Sequence, residues 1–203
     1  LVVHPIRAAR AAGAEAVVVI VGHGAAEVEA ALADQPDLRF ALQSEQRGTG
    51  HAVQCALPAL ADHAGSVLIL SGDVPRLRPA TLHALAAAAA ASRGGLALAT
   101  FTPPDPTGYG RIVRDGAGEV VAIVEERDAS PAQRAIGECN AGVYCAAASL
   151  LRRELPRLGS ANAQGEIYLT DLVAVAAGQG GVGAVLVPAD EVAGVNTLAQ
   201  LAE

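Results

Sequence analysis

The chain has 203 residues, of which 52% are apolar, and its formal net charge at pH 7 is −7. That length suits one domain with a sizeable buried core, and the apolar content excludes a chain that is disordered throughout. All 14 basic residues are arginines scattered along the sequence, and this charge pattern argues against an extended nucleic-acid-binding surface.

Short apolar runs and alanine-rich stretches alternate through the first half of the chain. Strands are predicted at residues 16–21, 38–42, 67–70 and 96–101. Helices are predicted at residues 5–12, 25–33, 52–60 and 81–91. The runs at 16–21 and 67–70 are continuous, which is typical of strands buried on both faces. Strands that alternate with helices of this length favour a parallel sheet covered by helices on both sides.

The pattern changes after residue 101, where Pro103, Pro104 and Pro106 interrupt it. Strands at 111–113 and 119–124, separated by a glycine-rich turn, are predicted to form a hairpin. Further strands are predicted at 138–145 and 184–187, and helices at 147–155 and 167–177.

The three cysteines, Cys55, Cys139 and Cys145, lack the spacing of metal ligands and cannot all pair with one another. We interpret them as reduced thiols of a cytosolic protein, with Cys139 and Cys145 in the core. No uncharged apolar run reaches the roughly 18 residues of a membrane span, and the N-terminus lacks the layout of a signal peptide. The chain contains no Met, so we expect that Leu1 is not the natural start.

The segment from Gln43 to Ala52 is a glycine-rich loop between a predicted strand and a predicted helix. Gly48 and Gly50 flank Thr49, and without a Cβ these glycines let the backbone approach a ligand closely. A helix that opens directly afterwards directs unpaired N–H groups towards that position, which anions favour. Alone, such a loop is a weak signal.

A second candidate site follows the predicted strand at 67–70. In open α/β sheets ligands lie beyond the carboxyl ends of strands, where this sequence places Ser71, Gly72 and Asp73. The Asp73 carboxylate is a hard oxygen ligand that suits Mg²⁺. An equally good interpretation is that Asp73 only caps the turn before Pro75.

Polar residues also accompany the predicted hairpin. Glu125 ends one strand and Asn140 begins another. A carboxylate and an amide carbonyl both accept hydrogen bonds, which suits a polyhydroxylated ligand. For the neighbouring Glu126 and Arg127 we favour a solvated charged turn.

Seven motifs of this sequence occur in the same order in one bacterial enzyme family. They are Gln43 with residues 48–52, residues 72–75, 108–111, 124–125, Asn140, residues 162–166 and residues 194–196. With these motifs the chain resembles, over essentially its whole length, the uridylyltransferase domain of the bacterial bifunctional N-acetylglucosamine-1-phosphate uridylyltransferase / glucosamine-1-phosphate acetyltransferase.

The resemblance implies a single domain with a Rossmann-like nucleotide-diphospho-sugar transferase fold. Its sheet would be mixed and mostly parallel, with helices on both faces and a β-hairpin lobe that binds sugar. The nucleotide-binding half would span about residues 1–101 and the sugar-binding half about residues 102–203. The implied reaction is the Mg²⁺-dependent formation of UDP-N-acetylglucosamine and pyrophosphate from UTP and N-acetylglucosamine 1-phosphate.

By the same resemblance, individual residues acquire roles. Asp73 and Asn196 would be catalytic as the protein ligands of Mg²⁺. The nucleotide-side residues would be Gln43, Gly48 and Thr49 around the uracil, together with Ser71, Gly72 and Asp73. The sugar-side residues would be Gly110, Glu125 and Asn140, with Tyr168 and Thr170 as neighbours.

The sequence also departs from the family pattern. The family opens with a strand and a glycine-rich loop whose Arg and Lys cradle the triphosphate, whereas this sequence begins just after that loop and contains no Lys. Ser71 stands where the family often has Tyr, which weakens a stacking role there. The 203 residues do not include the family's C-terminal β-helix acetyltransferase domain, through which its members form trimers. We therefore expect little activity from these 203 residues alone.

Two alternatives stay open at this point. A related nucleotidyltransferase could use another nucleoside triphosphate or sugar phosphate on the same fold. A non-catalytic subunit could bind a sugar nucleotide without turnover, although such a subunit has less need of a Mg²⁺ pair.

Overall fold

Helices and strands alternate through the first half of the chain, as the hydrophobic pattern predicts. The computed structural model describes residues 1–195. The first half comprises α1 (Val3–Ala11), β1 (Val17–Val21), α2 (Ala25–Ala31), β2 (Leu38–Leu42), α3 (Thr49–Ala56), β3 (Ser66–Ile69), α4 (Pro79–Ala91) and β4 (Leu96–Phe101). A 3₁₀ turn at Leu57–Leu60 extends α3.

The second half carries the predicted hairpin and the last strands. Its elements are β5 (Arg111–Arg114), β6 (Val120–Val124), α5 (Pro131–Arg134), β7 (Cys139–Ala147), α6 (Ala148–Glu154), α7 (Asp171–Gly178), β8 (Gly183–Leu186) and α8 (Ala189–Val192). The short helices α5 and α8 were not predicted. Within residues 1–195, none of the helices is both long and apolar enough to cross a membrane.

Two helices begin three or more residues away from their predicted start. Helix α3 begins at Thr49 rather than at residue 52. Helix α7 begins at Asp171 rather than at residue 167, because two backbone N–H groups before it are engaged outside any helix. Ile167 donates to the Arg47 carbonyl at 2.8 Å and Leu169 donates to the Thr49 hydroxyl at 3.0 Å.

The strands form a mixed arrangement, in which most pairings are antiparallel. β1 and β2 pair in parallel as a two-stranded sheet, and a six-stranded sheet has the order β6-β5-β7-β4-β8 with β3 also on β7. In that sheet only β4 and β8 are parallel, whereas β7 runs antiparallel to β3, β4 and β5. The prediction of a mixed sheet is confirmed, but the prediction that it is mostly parallel is wrong. The chain reaches β7 through a hairpin and a short helix, and nothing in that connection imposes a parallel partner.

Helices cover both faces of the six-stranded sheet, as predicted. Along β4, Leu96 and Leu98 face a cluster that includes Leu151 of α6 and Leu172 of α7. The alternate residues of β4, with Cys139 and Cys145, face the cluster built around α4. Because both thiols are fully buried there, their interpretation as core residues is confirmed.

Strands β1 and β3 are less buried than their sequences predict. Val17 and Val18 in β1, and Val67 and Leu68 in β3, are only partly buried. Among residues 1–195 each of these strands pairs with one neighbour, β1 with β2 and β3 with β7. Within these residues, one edge of each strand carries no partner strand, in keeping with the partial burial of both.

Candidate active site

The glycine-rich loop packs against a distant segment of the chain itself. Gly48 adopts a left-handed conformation (φ +102°), and a Cβ added there would lie 2.5 Å from the Ile167 carbonyl oxygen. The Gly50 N–H donates to that carbonyl at 2.8 Å, and the Ile167 N–H donates to Arg47. From the sequence we expected a ligand to approach these glycines closely. In the structure, the backbone of Ile167 occupies that position. One N–H group at the start of α3 is thereby already satisfied.

An open pocket of about 230 Å³ lies beside this loop. The residues that line it are Gln43, Gln46, Gly48, Thr49, Ala52 and Glu166. All three residues predicted to surround the uracil are among them. Gln46 and Glu166 were not singled out, although each belongs to a quoted motif or directly adjoins one.

The amide of Gln43 is held in place from two sides. Its Nε2 donates to the Gly48 carbonyl at 3.0 Å and lies 3.2 Å from His51 Nδ1. Because the amide nitrogen is engaged, the carbonyl oxygen of Gln43 is the group left for a ligand in the pocket. A fixed amide can read the hydrogen-bonding edge of a base.

The loop after β3 connects the metal candidate to the sugar-side residues. Ser71 Oγ donates to the Gly142 carbonyl at 3.5 Å, and the Gly142 N–H donates to Asn140 Oδ1 at 3.0 Å. Gly72 forms the exposed turn that follows. The peptide of Gly142 therefore links this loop to Asn140.

Asp73 is half-buried, and its carbonyl accepts the Val195 N–H at 2.9 Å. Val195 immediately precedes Asn196 in the sequence. Asn196, the predicted second Mg²⁺ ligand, lies outside the described residues, so its approach to Asp73 stays a prediction.

Four of the predicted sugar-side residues form one cluster. The Asn140 N–H donates to the Gly110 carbonyl at 2.8 Å. A Cβ added to Gly110 would lie 3.4 Å from Glu125 Oε2, so the carboxylate lies directly above that glycine. The Thr170 hydroxyl donates to Glu125 Oε1 at 3.0 Å. The Asn140 amide also donates to the buried Tyr144 hydroxyl at 2.7 Å.

Tyr168 lies beside this cluster and fastens the loop at residues 162–166. Its hydroxyl donates to Asp128 Oδ2 at 3.3 Å and accepts from the Gln164 amide at 2.9 Å. Asp128 Oδ1 accepts the Ala163 N–H at 2.8 Å. Asp128 was missed by the sequence analysis, since it lies in a charged turn with no local sign that its partner is 35 residues away.

Burial and neighbouring charge disfavour ionisation on the sugar side. The pKa of Glu125 is raised, chiefly by desolvation, with the Thr170 hydrogen bond acting against this and Asp128 and Asp171 adding to it. Burial, reinforced by Asp128, also raises the pKa of Asp171. Closely spaced carboxyl groups therefore disfavour one another's ionised form here.

The charged turn at 126–127 is only partly solvated. Arg127 is exposed as predicted, but the prediction is wrong for Glu126, whose Oε2 lies 2.6 Å from the guanidinium of Arg111. The Arg111 side chain is 2% exposed. A buried cation that cannot give up its proton requires a counter-charge, and Glu126 provides it.

Of the two predicted Mg²⁺ ligands, only Asp73 lies among the described residues. Within the part of the chain that the structure describes, no three His, Cys, Asp or Glu side chains converge to hold a metal ion. One carboxylate with one further oxygen donor fits Mg²⁺, which is commonly bound by one or two protein ligands together with water and substrate phosphate.

Comparison with known proteins places the chain among nucleotide-using enzymes. A family model described as "MobA-like NTP transferase domain" matches residues 1–165. The "Bifunctional protein GlmU" of Anaeromyxobacter dehalogenans strain 2CP-C is 52% identical over 205 residues, which cover 100% of this chain and 42% of that relative. Proteins of the same name from Trichlorobacter lovleyi and Cellvibrio japonicus are 50% and 51% identical over 98% and 100% of this chain. The chain thus spans less than half the length of these curated relatives.

Proposed function

Because this chain belongs to the MobA-like NTP transferase domain family, we propose that it transfers the uridylyl group of UTP to N-acetylglucosamine 1-phosphate. The products would be UDP-N-acetylglucosamine and pyrophosphate. The family assignment makes the chain a nucleotidyltransferase, and the names of its relatives support a sugar nucleotide as the product. The base and the sugar are our proposal.

One observation carries the proposal, which is that a single short segment contacts both candidate sites. Glu166 lines the pocket beside the glycine-rich loop, and Thr170, four residues later, holds Glu125 of the sugar-side cluster. Residues 167 and 169 bind the loop between these two points. An extended chain rises at most about 3.3–3.6 Å per residue, so the two sites lie close enough for one nucleotide sugar to reach both.

In the proposed complex each group has a simple task. Gln43 would hydrogen-bond the base, and the backbone of Gly48 and Thr49 would line its pocket. Glu125 and the Asn140 side chain would bind hydroxyl or amide groups of the sugar. No nucleophilic side chain is required, because the phosphate oxygen of the sugar 1-phosphate attacks the α-phosphorus itself.

The bond changes balance without a further reactant. An O–P bond forms to the α-phosphorus, and the bond to the β-phosphate bridging oxygen breaks with its electron pair on the departing pyrophosphate. Holding the two reactants in line is the principal contribution of the protein in such reactions. The pocket and the sugar-side cluster would supply this alignment.

We propose Asp73 and Asn196 as the residues that hold Mg²⁺. Bound there, the ion would reduce the repulsion between two anionic reactants and stabilise charge in the transition state. Support comes from the hydrogen bond between Val195 and Asp73, which fixes the residue before Asn196 against the Asp73 loop. The half-buried position of Asp73 after β3 supports the same role.

The domain organisation is proposed on the same basis. Residues up to about 101 would bind the nucleotide and later residues the sugar, although β3 and β4 share their sheet with β7. The three free cysteines are compatible with the reducing cytoplasm, where we place the reaction.

The test is an assay of the full natural protein that contains this sequence. Release of pyrophosphate is measured with UTP and N-acetylglucosamine 1-phosphate, and then with dTTP, CTP or GTP and with other sugar 1-phosphates. Asp73→Asn should lower kcat by at least about 100-fold, as expected when charge stabilisation at a transferring phosphoryl group is lost. A preference for another nucleotide or sugar would reject the proposed substrates, and an Asp73→Asn variant with normal turnover would reject the metal assignment.

A further inference from the structure

The hairpin contains a buried guanidinium adjacent to the sugar-side cluster. Arg111 is 2% exposed, and its charged partner Glu126 is 29% exposed at the side chain. Besides the 2.6 Å contact with Glu126, Arg111 donates to the carbonyls of Tyr109 and Arg134, the latter at 3.4 Å from Nε. One side chain therefore joins the turn before β5, the segment after β6 and the end of α5.

The positions of the two partners along the chain give this ion pair its significance. Arg111 directly follows Gly110, and Glu126 directly follows Glu125. The two preceding residues face each other in the sugar-side cluster, where Glu125 Oε2 lies over Gly110. Gly110 in turn accepts the Asn140 N–H at 2.8 Å. The ion pair therefore fixes the backbone where three predicted sugar-side residues meet.

Resting on the proposed function, we infer that Arg111 and Glu126 are positioning residues for the sugar phosphate, acting through Gly110 and Glu125 without touching it. The Glu125 side chain has one described hydrogen bond, from Thr170. Its placement consequently depends on the backbone at 125–126. Breaking the pair would let that backbone move relative to Gly110, while the nucleotide pocket, built from other segments, would keep its shape.

The same hairpin offers a matched control. Arg114, on β5, binds Glu138 through Nε and Nη2 at 2.8 and 2.7 Å. These side chains are 35% and 24% exposed, so solvent screens the pair and little depends on it. The two ion pairs thus share residue types, and both arginines lie on β5, but only the arginine of the first pair is buried.

The experiment compares Glu126→Gln with Glu138→Gln in the full natural protein. We expect Glu126→Gln to raise KM for the sugar 1-phosphate about ten-fold or more, since small misplacements of binding groups are costly, with KM for UTP unchanged. Glu138→Gln should leave both KM values unchanged. A sugar-phosphate KM for Glu126→Gln equal to that of the control, or a parallel rise in both KM values, would overturn the inference.

Hydrogen exchange gives a second readout that does not need turnover. The Asn140 amide, bonded to Gly110, should exchange faster in Glu126→Gln and at the normal rate in Glu138→Gln. If the unaltered protein does not turn over UTP with any sugar phosphate, the proposed function fails, and unchanged Asn140 exchange in Glu126→Gln would separately overturn the positioning role. If Glu126→Gln does not fold, Glu126→Asp, which keeps the charge but shortens the side chain, is judged by the same outcomes.

Discussion

Thr170 donates its hydroxyl to Glu125 across 45 positions of sequence, at 3.0 Å. This bond joins the segment after Glu166, which lines the proposed nucleotide pocket, to the hairpin that carries the proposed sugar-side residues. It also opposes the effect of burial, which raises the pKa of Glu125. Thr170 therefore keeps a shielded carboxyl group closer to its ionised form.

Thr170→Val should separate the effect of the Thr170 hydroxyl on the pKa of Glu125 from the packing of the side chain, because valine has nearly the same shape but no hydroxyl. Loss of the donor raises the pKa of Glu125 further, so the acid limb of the pH–rate profile moves to higher pH. A hydrogen bond to a charged group contributes about 1.5–3 kcal/mol, which bounds the expected weakening of sugar-phosphate binding. Thr170→Ser, which keeps the hydroxyl, should restore the profile, and an unshifted acid limb in Thr170→Val would contradict the assignment.

Glu125→Gln should stabilise the protein near neutral pH. The folded-state pKa of Glu125 is raised, so its contribution to stability is fully present below the unfolded-state pKa and is lost as pH rises through the folded-state pKa. Removing the charge should raise the unfolding midpoint in urea at pH 7, with the gain disappearing near about pH 4.

Glu138→Gln is the opposite case for the same measurement. The hydrogen bond from Arg114 lowers the pKa of Glu138, so its contribution is present above the unfolded-state pKa and is lost as pH falls. This variant should be slightly less stable than the unaltered protein at pH 7 and equal to it in acid. If the stabilities of Glu125→Gln and Glu138→Gln changed with pH in the same way, the environments assigned to Glu125 and Glu138 would be wrong.

Gly48→Ala tests the contact between the glycine-rich loop and Ile167. The new Cβ would lie 2.5 Å from a carbonyl oxygen, in a residue with φ of +102°. Gly13→Ala is the control, since Gly13 has φ of +88° but nothing within 4 Å of an added Cβ. Left-handed backbone alone costs roughly 1–2 kcal/mol, so Gly48→Ala should lose more than that in unfolding free energy and should also weaken UTP binding. Similar losses at both positions would mean that the contact is unimportant.

Glu191 is a buried carboxylate that binds the N-terminal end of α4. It accepts the Arg78 N–H at 3.0 Å and the Thr81 hydroxyl, and is 2% exposed. Glu191→Ala leaves these donors unsatisfied, which costs about 1–3 kcal/mol for a buried group. Glu191 also anchors the segment that leads to Val195, whose N–H donates to the Asp73 carbonyl. The variant should therefore need more Mg²⁺ for half-maximal activity. Asp190→Ala, at the exposed neighbouring position, should change neither value, and a Mg²⁺ requirement unaltered by Glu191→Ala would contradict the link to Asp73.

The elements that the sequence predicted well are those with a local cause. Short, mainly apolar segments located the predicted strands, and the helix α4 followed from its alanine-rich pattern. The short helix α5 was missed although Ser130 and Gln133 form a capping box, which is a recognisable local signal. The antiparallel course of β7 had no such signal, because strand pairing is decided between segments far apart in the chain.

The residues of the candidate site also fall into those with a local sequence signal and those without one. Gln43 and Gly48 were singled out from compact motifs, and both line one pocket, while their role there stays a prediction. Asp128 and the pair Arg111–Glu126 were missed or misjudged because their partners are not neighbours in sequence. Burial of a charged side chain depends on tertiary packing. In the sequence, an acidic turn has the same composition whether its carboxylates are solvated or paired with a buried arginine.

Residues 166–170 connect the two proposed recognition areas, because Glu166 lines the pocket and Thr170 holds Glu125. If the proposed sites are right, redesign of this segment would alter the choice of base and the choice of sugar together. A variant meant to accept a different nucleotide alone should instead be sought at Gln43 and Gln46, which line the pocket from another segment of the chain.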